Sequence, residues 1–249
     1  AQNGLTLIHQ NNMGSFVGPD IVDDGLVLAY DAGSERCYSG SGASLVNITN
    51  TGIPGALVNA PSFSTNGVGS WVFDGVDERI LATPAGATVF GDQLVFEVWI
   101  YPTDYATSGG NRQYLIDPRG DGGTSGMSCY FLFDYRTSPD IVRITSGNSN
   151  VEVQSSDFQM TLNNWHHLVA TRNGNSWVMY HNGVSVGTGT TNTTSLTLNN
   201  AFRIATFASG SSGQYFFEGN MAIARMYNQS QTAAQVLQNF NAQRSRFGL

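Results

Sequence analysis

The segment NWHHLVATRNGNSWVMYHNG (residues 164–183) decides the fold class. Two runs rich in β-branched and aromatic residues, 164–171 and 176–182, flank the turn sequence RNGN (172–175), and HNG (181–183) closes the second run. Asn and Gly tolerate the positive φ of tight turns, and β-branched and aromatic residues favour strands. The segment therefore predicts two antiparallel strands joined by a hairpin.

Further strand-like runs lie on both sides of this hairpin. They are short, rich in Val, Ile, Phe, Trp and Tyr, and bounded by Gly, Asn, Asp and Ser: LVLAYD (26–31), SWVFD (70–74), LVFEVWIY (94–101), QYLID (113–117), SCYFLFDY (128–135), DIVRIT (140–145) and the stretch 214–227. Such a density of strands without alternating helices is typical of an all-β, two-sheet antiparallel sandwich.

One short C-terminal helix accompanies the strands. Thr232 and Gln235 have capping-box spacing, and Val236, Leu237 and Phe240 then fall on one face, which we expect to pack on the sandwich. Residues 1–25 are polar, punctuated by Gly and without periodicity, so we interpret them as an N-terminal arm that gains order on its own domain or on a neighbour. Residues 26–249 form a single predicted domain.

The charge pattern excludes several function classes. The net charge is −7, and all eleven basic residues are arginines scattered singly along the chain. Nucleic-acid binding needs a basic stripe, and attraction to an anionic membrane surface needs basic clusters. No apolar run reaches the length of a transmembrane helix, so we expect no nucleic acid and no membrane insertion. Cys37 and Cys129 have no metal-ligand spacing and are compatible with either a disulfide or two free thiols.

Six segments in order across residues 25–240 resemble the laminin G-like family of the concanavalin A-like lectin/glucanase superfamily. They are GLVLAYDAGS (25–34), WVFDGVDERI (71–80), FEVWIYP (96–102), WHHLVATRNG (165–174), YHNG (180–183) and FEGNMAIARMYNQSQTAAQV (217–236). The resemblance implies a jelly-roll sandwich with two stacked sheets of roughly six or seven strands. It also implies that ligands bind on the concave face or at the rim.

A structural calcium ion is common in the family, but this chain departs from the usual acidic ligands. Asn47 stands in the loop LVNITNTGIPG (45–55) where an Asp is expected, and Ala222 occupies the acidic position after Gly219. Because Ca²⁺ prefers six to eight oxygen ligands that include carboxylates, we expect no firm cofactor and leave a structural calcium open. Asp74 and Asp77, in FDGVDE, are candidate metal ligands, with a turn between strands as the simpler interpretation.

Four residues are candidates for ligand binding. Strand alternation places Glu97, Trp99 and Tyr101 on one face of LVFEVWIY, and Tyr105 lies just beyond, so a carboxylate beside aromatic rings is positioned to hold a sugar. The alternative is that Glu97 pairs with an arginine on a packed face and that the tryptophans are core residues. Glycoside hydrolysis needs two carboxylates, and the five glutamates have no paired spacing, so we expect no enzyme.

Two other motifs have simpler interpretations. His166 and His167 are adjacent in a strand and point to opposite faces, so they do not share a metal or a nucleophile. The loop DPRGDGG (117–123) predicts a Gly-rich turn, with a calcium loop or an Arg119-Gly120-Asp121 adhesion tripeptide as alternatives.

The resemblance extends to phage proteins. The opening arm, DAGSERCYSGSG (31–42) and the ending FNAQRSRFGL (240–249) resemble laminin G-like proteins encoded by tailed phages of aquatic bacteria. The leading hypothesis is therefore a non-enzymatic virion protein, in capsid decoration or as a tail or fibre adhesin, with neighbouring virion proteins, further copies of the chain or host glycans as partners. The alternative is a secreted carbohydrate-binding module or lectin.

Overall fold

A computed structural model provides the fold and describes ten stretches of the chain. These are residues 20–49, 51–65, 69–105, 112–120, 129–134, 141–146, 150–155, 160–191, 196–207 and 215–249. Among these residues, two large antiparallel sheets account for most strands, and one α-helix lies near the C-terminus.

The strands are numbered in chain order. The first nine are β1 (Leu26–Asp31), β2 (Ser44–Leu45), β3 (Gly55–Val58), β4 (Ser62–Ser64), β5 (Ser70–Asp74), β6 (Arg79–Ala82), β7 (Thr88–Gly91), β8 (Gln93–Pro102) and β9 (Arg112–Asp117). The others are β10 (Cys129–Asp134), β11 (Ile141–Ser146), β12 (Asn150–Gln154), β13 (His166–Asn173), β14 (Ser176–His181), β15 (Val184–Thr190), β16 (Leu196–Leu198), β17 (Phe202–Ile204) and β18 (Glu218–Tyr227). The helix α1 spans Ala233–Gln243, and a 3-10 turn spans Arg244–Phe247.

The first sheet contains the hairpin that the sequence predicts. Its order is β15-β14-β13-β8-β18-β5-β4, and β1 pairs with the second half of β18. The β13–β14 turn has Gly174 at φ +59, and the β14–β15 turn has Asn182 at φ +50 and Gly183 at φ +80. Both predicted tight turns are therefore confirmed, because these residues tolerate the left-handed region.

The second sheet lies across the core from the first. Its order is β12-β11-β10-β9-β17-β6-β3-β2, and β7 and β16 form a separate two-stranded sheet. The inward-facing side chains of the two large sheets form one apolar core, which includes Trp71, Phe96, Phe131 and Trp177. Alternation along each strand then leaves every large sheet with an outer face as well.

The two sheets approach each other closely where their edge strands meet. A Cβ added to Gly187 in β15 would lie 2.0 Å from the carbonyl oxygen of Gln154 in β12. Any larger residue at this position would therefore force the backbones apart, which makes Gly187 a requirement of this edge.

Helix α1 covers the outer face of the first sheet. Thr232 and Gln235 form the predicted capping box, and Val236 and Phe240 are buried. Leu237, which the sequence places on the same face, is 44% exposed and lies at the edge of the contact, beside Gly183 of the β14–β15 turn. The end of the predicted arm contacts α1, where Gln238 donates to the carbonyl of Asp20 and the Val22 amide donates to Asn239. Residues 1–19 lie outside the described residues.

The predicted all-β, antiparallel two-sheet sandwich with one short C-terminal helix is confirmed. Among the described residues each large sheet has eight strands rather than six or seven, because short strands such as β2 and β4 give no hydrophobic alternation. Cys37 and Cys129 are free and buried, and burial raises the pKa of Cys37 to about 11. Within the described part of the chain, no helix has the length and apolar character needed to cross a bilayer.

Candidate functional site

The outer face of the second sheet carries an aromatic cluster that surrounds one arginine. Tyr130 and Leu132 of β10 point to this face, whereas Cys129 and Phe131 point into the core. We call the group the Arg119 cluster and define it by its members: Tyr114, Asp117, Arg119, Tyr130, Phe207 and Tyr215.

The guanidinium of Arg119 is held between the rings of this cluster. Its central carbon lies 3.8 Å from the ring centre of Tyr130, 4.7 Å from that of Phe207 and 5.8 Å from that of Tyr114. Stacking of a guanidinium on an aromatic ring is attractive because the ring face is electron-rich. The rings therefore restrict the orientation of the Arg119 head group.

A carboxylate fixes one edge of the same guanidinium. Nε of Arg119 donates to Oδ1 of Asp117 at 2.8 Å, and Nη2 donates to Oδ2. Burial by itself lowers the pKa of Arg119, but the hydrogen bonds and the charge of Asp117 raise it above its ordinary value. Arg119 stays a cation, and Asp117 holds it in one orientation.

The local sequence explains how Arg119 reaches Asp117. Asp117 is the last residue of β9, and the chain turns immediately after it, with Gly120 at φ +101. The Arg119 amide donates to Oδ1 of Asp117 at 3.3 Å, so the carboxylate stabilises this turn as well. The predicted Gly-rich turn is confirmed as far as Gly120, and Asp121 lies outside the described residues.

The Arg119 cluster is only partly covered. The carboxylate of Asp117 is fully buried and the Arg119 side chain is 18% exposed. Tyr130 is buried, while Phe207 and Tyr215 are half-buried. Their rings lie 5.6 Å apart, and the arrangement combines a fixed cation with half-buried aromatic surface.

Glu97 and Trp99 are both buried on the outer face of the first sheet. Arg225 donates to Oε1 of Glu97 at 2.8 Å, and Trp99 stacks on Phe247 at 4.0 Å and on Phe240 at 5.9 Å. Both candidates are fully removed from solvent, because α1 and the 3-10 turn lie over them. The structure therefore agrees with the alternative prediction. Glu97 pairs with an arginine on a packed face, and Trp99 is buried among other rings.

Four donors converge on the buried carboxylate. We call Glu97, His167, Arg225, Tyr227 and Asn239 the Glu97 network; besides Arg225, the distances to Glu97 are 3.1 Å for His167, 3.1 Å for Tyr227 and 3.0 Å for Asn239. Burial raises the pKa of Glu97, but Arg225, His167 and the Tyr227 hydroxyl together lower it to about 2. The carboxylate is therefore ionised and satisfied inside the protein.

Tyr101 and Tyr105 lie apart from each other and from Glu97. Tyr101 is half-buried and its ring lies 5.6 Å from that of Trp165, at the end of the outer face of the first sheet. Tyr105 packs on the main core and donates to the carbonyl of Met160 at 2.8 Å. The four predicted ligand residues therefore do not form one surface.

Asp74 ends β5, and Asp77 lies in the turn between β5 and β6. Oδ1 of Asp74 accepts from the Val76 amide at 2.9 Å, which is the turn role that the sequence predicts. In the part of the chain that the structure describes, no group of three or more His, Cys, Asp or Glu side chains is positioned to hold a metal ion. A metal role for the two aspartates stays a prediction.

Asn47 occupies the loop where the family resemblance implies a calcium ion. Its amide donates to the carbonyl of Val27 at 2.9 Å and its oxygen accepts from the Ala29 amide at 2.9 Å. The side chain is buried and ties this loop to β1 with both of its polar atoms. Ala222, at the second expected position, is buried as well. These residues do not supply the carboxylates that Ca²⁺ favours.

Sequence reasoning did not single out the Arg119 cluster. Its members come from three separate parts of the chain, around residues 114–119, 130 and 207–215. Alternation in SCYFLFDY does place Tyr130 and Leu132 on one face, but the partner strands that complete the cluster are set by the sheet order.

Comparison with solved structures gives neighbours that share this fold at low sequence identity. The fourth domain of an extracellular arabinanase from Geobacillus stearothermophilus, solved with arabinotriose, matches with a TM-score of 0.60 and 16% identity, covering 87% of this chain and 98% of that domain. The Trypanosoma rangeli sialidase, solved with 2,3-difluorosialic acid as a covalent intermediate, matches with a TM-score of 0.63 and 13% identity over 92% of this chain and 35% of the sialidase. The binding domain of Paraclostridial Mosquitocidal Protein 1 matches with a TM-score of 0.62 and 11% identity over 88% of this chain and 52% of that domain.

At these identities the neighbours establish the fold and nothing finer. Comparison with curated protein sequences gave no match. The family model described as Concanavalin A-like lectin/glucanases superfamily matches residues 74–237, which is more than half of the chain. The chain therefore belongs to this laminin G-like family of the concanavalin A-like lectin/glucanase superfamily.

Proposed function

We propose that the chain is a carbohydrate-binding domain and that it binds sugar at the Arg119 cluster. The observation that carries the proposal is a guanidinium stacked on Tyr130, with the half-buried rings of Phe207 and Tyr215 beside it. Aromatic rings accept the apolar C–H faces of sugars, and a fixed guanidinium donates hydrogen bonds to sugar oxygens. The arabinanase domain that shares this fold was solved with arabinotriose, which supports sugar binding as a function.

We also propose that the chain binds sugar without hydrolysing it. Hydrolysis of a glycosidic bond requires two carboxylates that flank the bond. Asp117 is fully buried and bonded to Arg119, and Glu97 is fully buried and bonded to Arg225. Neither carboxylate is accessible for proton transfer to a bound sugar, which supports a binding role.

The test is sugar binding by the whole chain and by matched variants. A glycan array identifies ligands, and calorimetry then compares Phe207→Ala and Tyr215→Ala with the control Val184→Ala. Val184 is 65% exposed on β15 of the first sheet. We expect the two ring variants to weaken binding at least tenfold, since each removes stacking area, and the control to bind normally. Absence of any saturable ligand, or unchanged binding by both ring variants, would contradict the proposal.

A role in a phage virion is a separate hypothesis that concerns where the domain works. It rests on the resemblance of the opening arm, residues 31–42 and residues 240–249 to phage proteins. A secreted carbohydrate-binding protein is the alternative, and both use the same binding face. Mass spectrometry of purified virions decides between them, because a virion protein must be recovered with the particles.

A further inference from the structure

The guanidinium of Arg119 has one edge bonded and one edge open. The bonded edge is formed by Nε and Nη2, which each donate one hydrogen bond to the carboxylate of Asp117. The end edge consists of Nη1 and the second hydrogen of Nη2, and these have no partner among the described residues. Because Tyr130 and Asp117 fix the group, the open edge is held in place before any ligand arrives, and little side-chain entropy is lost on binding.

Further arginines lie on the same face of the second sheet as Arg119. Among the residues that the structure describes, five arginines lie on outward-facing positions of the second sheet or its turns; they are Arg79, Arg112, Arg119, Arg143 and Arg203. Arg203 is paired in register with Asp117 of the cluster, and Arg143 is paired with Leu132, which follows Tyr130 by two residues on the same face of β10. These arginines place further guanidinium groups on the same side of the sandwich as the open edge of Arg119.

Two parallel N–H groups match a planar carboxylate. A guanidinium edge and a carboxylate form two charge-assisted hydrogen bonds of the right spacing, whereas a single sugar hydroxyl accepts only one of them well. Phe207 stacks on the guanidinium at 4.7 Å and Tyr215 meets Phe207 edge to face at 5.6 Å, so half-buried aromatic surface in the same cluster is available to the apolar face of the same sugar.

We propose that the ligand of the Arg119 cluster is a sugar that carries a carboxylate, bound bidentately by the Nη1–Nη2 edge of Arg119. The inference rests on the proposed function and specifies its ligand class. Uronic acids and sialic acids both present this group, so the shared chemistry is the carboxylate. The anionic group binds the edge of the guanidinium next to the one that Asp117 uses, and Arg119 then bonds to two carboxylates.

The first test uses the unaltered chain and pairs of sugars that differ in one group. Calorimetry compares trigalacturonate with its methyl ester, and 3′-sialyllactose with lactose. Charge-assisted hydrogen bonds predict that at least one acid binds about tenfold or more tightly than its neutral partner. The pair that shows the preference identifies whether a uronic or a sialic acid is the source of the carboxylate.

The second test compares two conservative substitutions on the same face. Arg119→Lys keeps the charge but lacks two parallel donors, and we expect it to lose most of the acid preference. The matched control Arg112→Lys changes another arginine of β9 and is expected to retain the preference. Thermal unfolding of both variants confirms that they fold, and the acid–ester comparison stands even if one does not.

The outcomes separate this inference from the proposed function. If acidic and neutral sugars bind equally and Phe207→Ala weakens both, carbohydrate binding stands and the carboxylate inference is overturned. If the acid preference survives Arg119→Lys as well as Arg112→Lys, the carboxylate does not bind to Arg119 and the inference is also overturned. If no sugar binds, both fail.

Discussion

The two outer faces of the sandwich use the same side-chain chemistry and differ in what covers them. On the first sheet, Arg225 pairs with Glu97 beneath the stacked rings of Trp99 and Phe247. On the second sheet, Arg119 pairs with Asp117 and stacks on Tyr130. Helix α1 and the 3-10 turn seal the first pair completely, whereas the Arg119 side chain remains 18% exposed. An arginine, a carboxylate and aromatic rings therefore form a structural unit when covered and a candidate binding site when one edge stays open.

The largest expected effect comes from breaking the covered pair. Arg225→Met leaves the buried Glu97 without its charge partner, so we expect the free energy of unfolding to fall by about 3–5 kcal/mol. Chemical denaturation measures this loss. The double variant Glu97→Gln/Arg225→Met removes both charges and is expected to recover part of it. A loss below about 1 kcal/mol in the single variant would contradict a structural role for the pair.

Acid is expected to weaken the first sheet over two pH windows. Burial, together with His166 and His167, lowers the pKa of His181 from 6.5 to about 3. The unfolded chain therefore takes up a proton at higher pH than the folded chain, and stability decreases as the pH falls from about 6.5 toward 3. The pKa of Glu97, about 2 in the folded chain against 4.5 ordinarily, implies a second loss as the pH falls from 4.5 to 2.

Urea unfolding at a series of pH values measures both windows. His181→Gln is expected to reduce the slope between pH 6.5 and 4.5 and to leave the loss below pH 4.5 in place. If the free energy of unfolding of His181→Gln depends on pH between 6.5 and 4.5 as it does in the parent chain, His181 is not the cause of the loss in that window. The comparison separates the histidine pair of β13 and β14 from the Glu97 network on the other face of the same sheet.

Weakening the N-terminal cap of helix α1, which covers the first sheet, should have a smaller effect than breaking the Arg225–Glu97 ion pair. The side chain of Thr232 accepts from the Gln235 amide, and the side chain of Gln235 accepts from the Thr232 amide. Thr232→Ala is expected to cost about 1 kcal/mol and to lower the melting temperature by about 2–4 °C. The control Thr103→Ala changes an exposed threonine outside the strands and helix and should melt like the parent chain. Equal melting of the two variants would contradict the role of the cap.

The smallest effect on stability is expected at the open pair. Arg119→Lys keeps a cation near Asp117 in a partly exposed site, so we expect a change below about 1 kcal/mol in the free energy of unfolding. The same variant is expected to lose the preference for acidic sugars. Arg119→Lys should therefore affect binding more than stability, whereas Arg225→Met should mainly affect stability. A loss of several kcal/mol would show that Arg119 is a structural residue like Arg225.

Local patterns in the sequence predict the strands and the faces of their side chains. Alternation in LVFEVWIY correctly separates Glu97, Trp99 and Tyr101 from the core residues Phe96, Val98 and Ile100. The capping box of α1 is also local, since it needs only Thr232 and Gln235. These features depend on residues that are close in the sequence, and the sequence alone therefore predicts them.

The cover over each face depends on contacts between distant residues. Asn239 of α1 reaches Glu97 across 142 positions of sequence, and this contact decides that Glu97 is sealed. The rings beside Arg119 come from β9, β10 and the segment after β17, and only the strand order brings them together. Alternation therefore shows that a side chain points away from the core between the sheets, but it does not show whether another element buries that side chain.

The stacking of Phe247 on Trp99 has a practical consequence for binding measurements. It anchors the last residues on the outer face of the first sheet, and the Arg119 cluster lies on the opposite side of the molecule. A bead or sensor chip coupled at the C-terminus would therefore hold each molecule by its helix-covered side. Its arginine-rich face would point into the solution, where long glycans have room to approach.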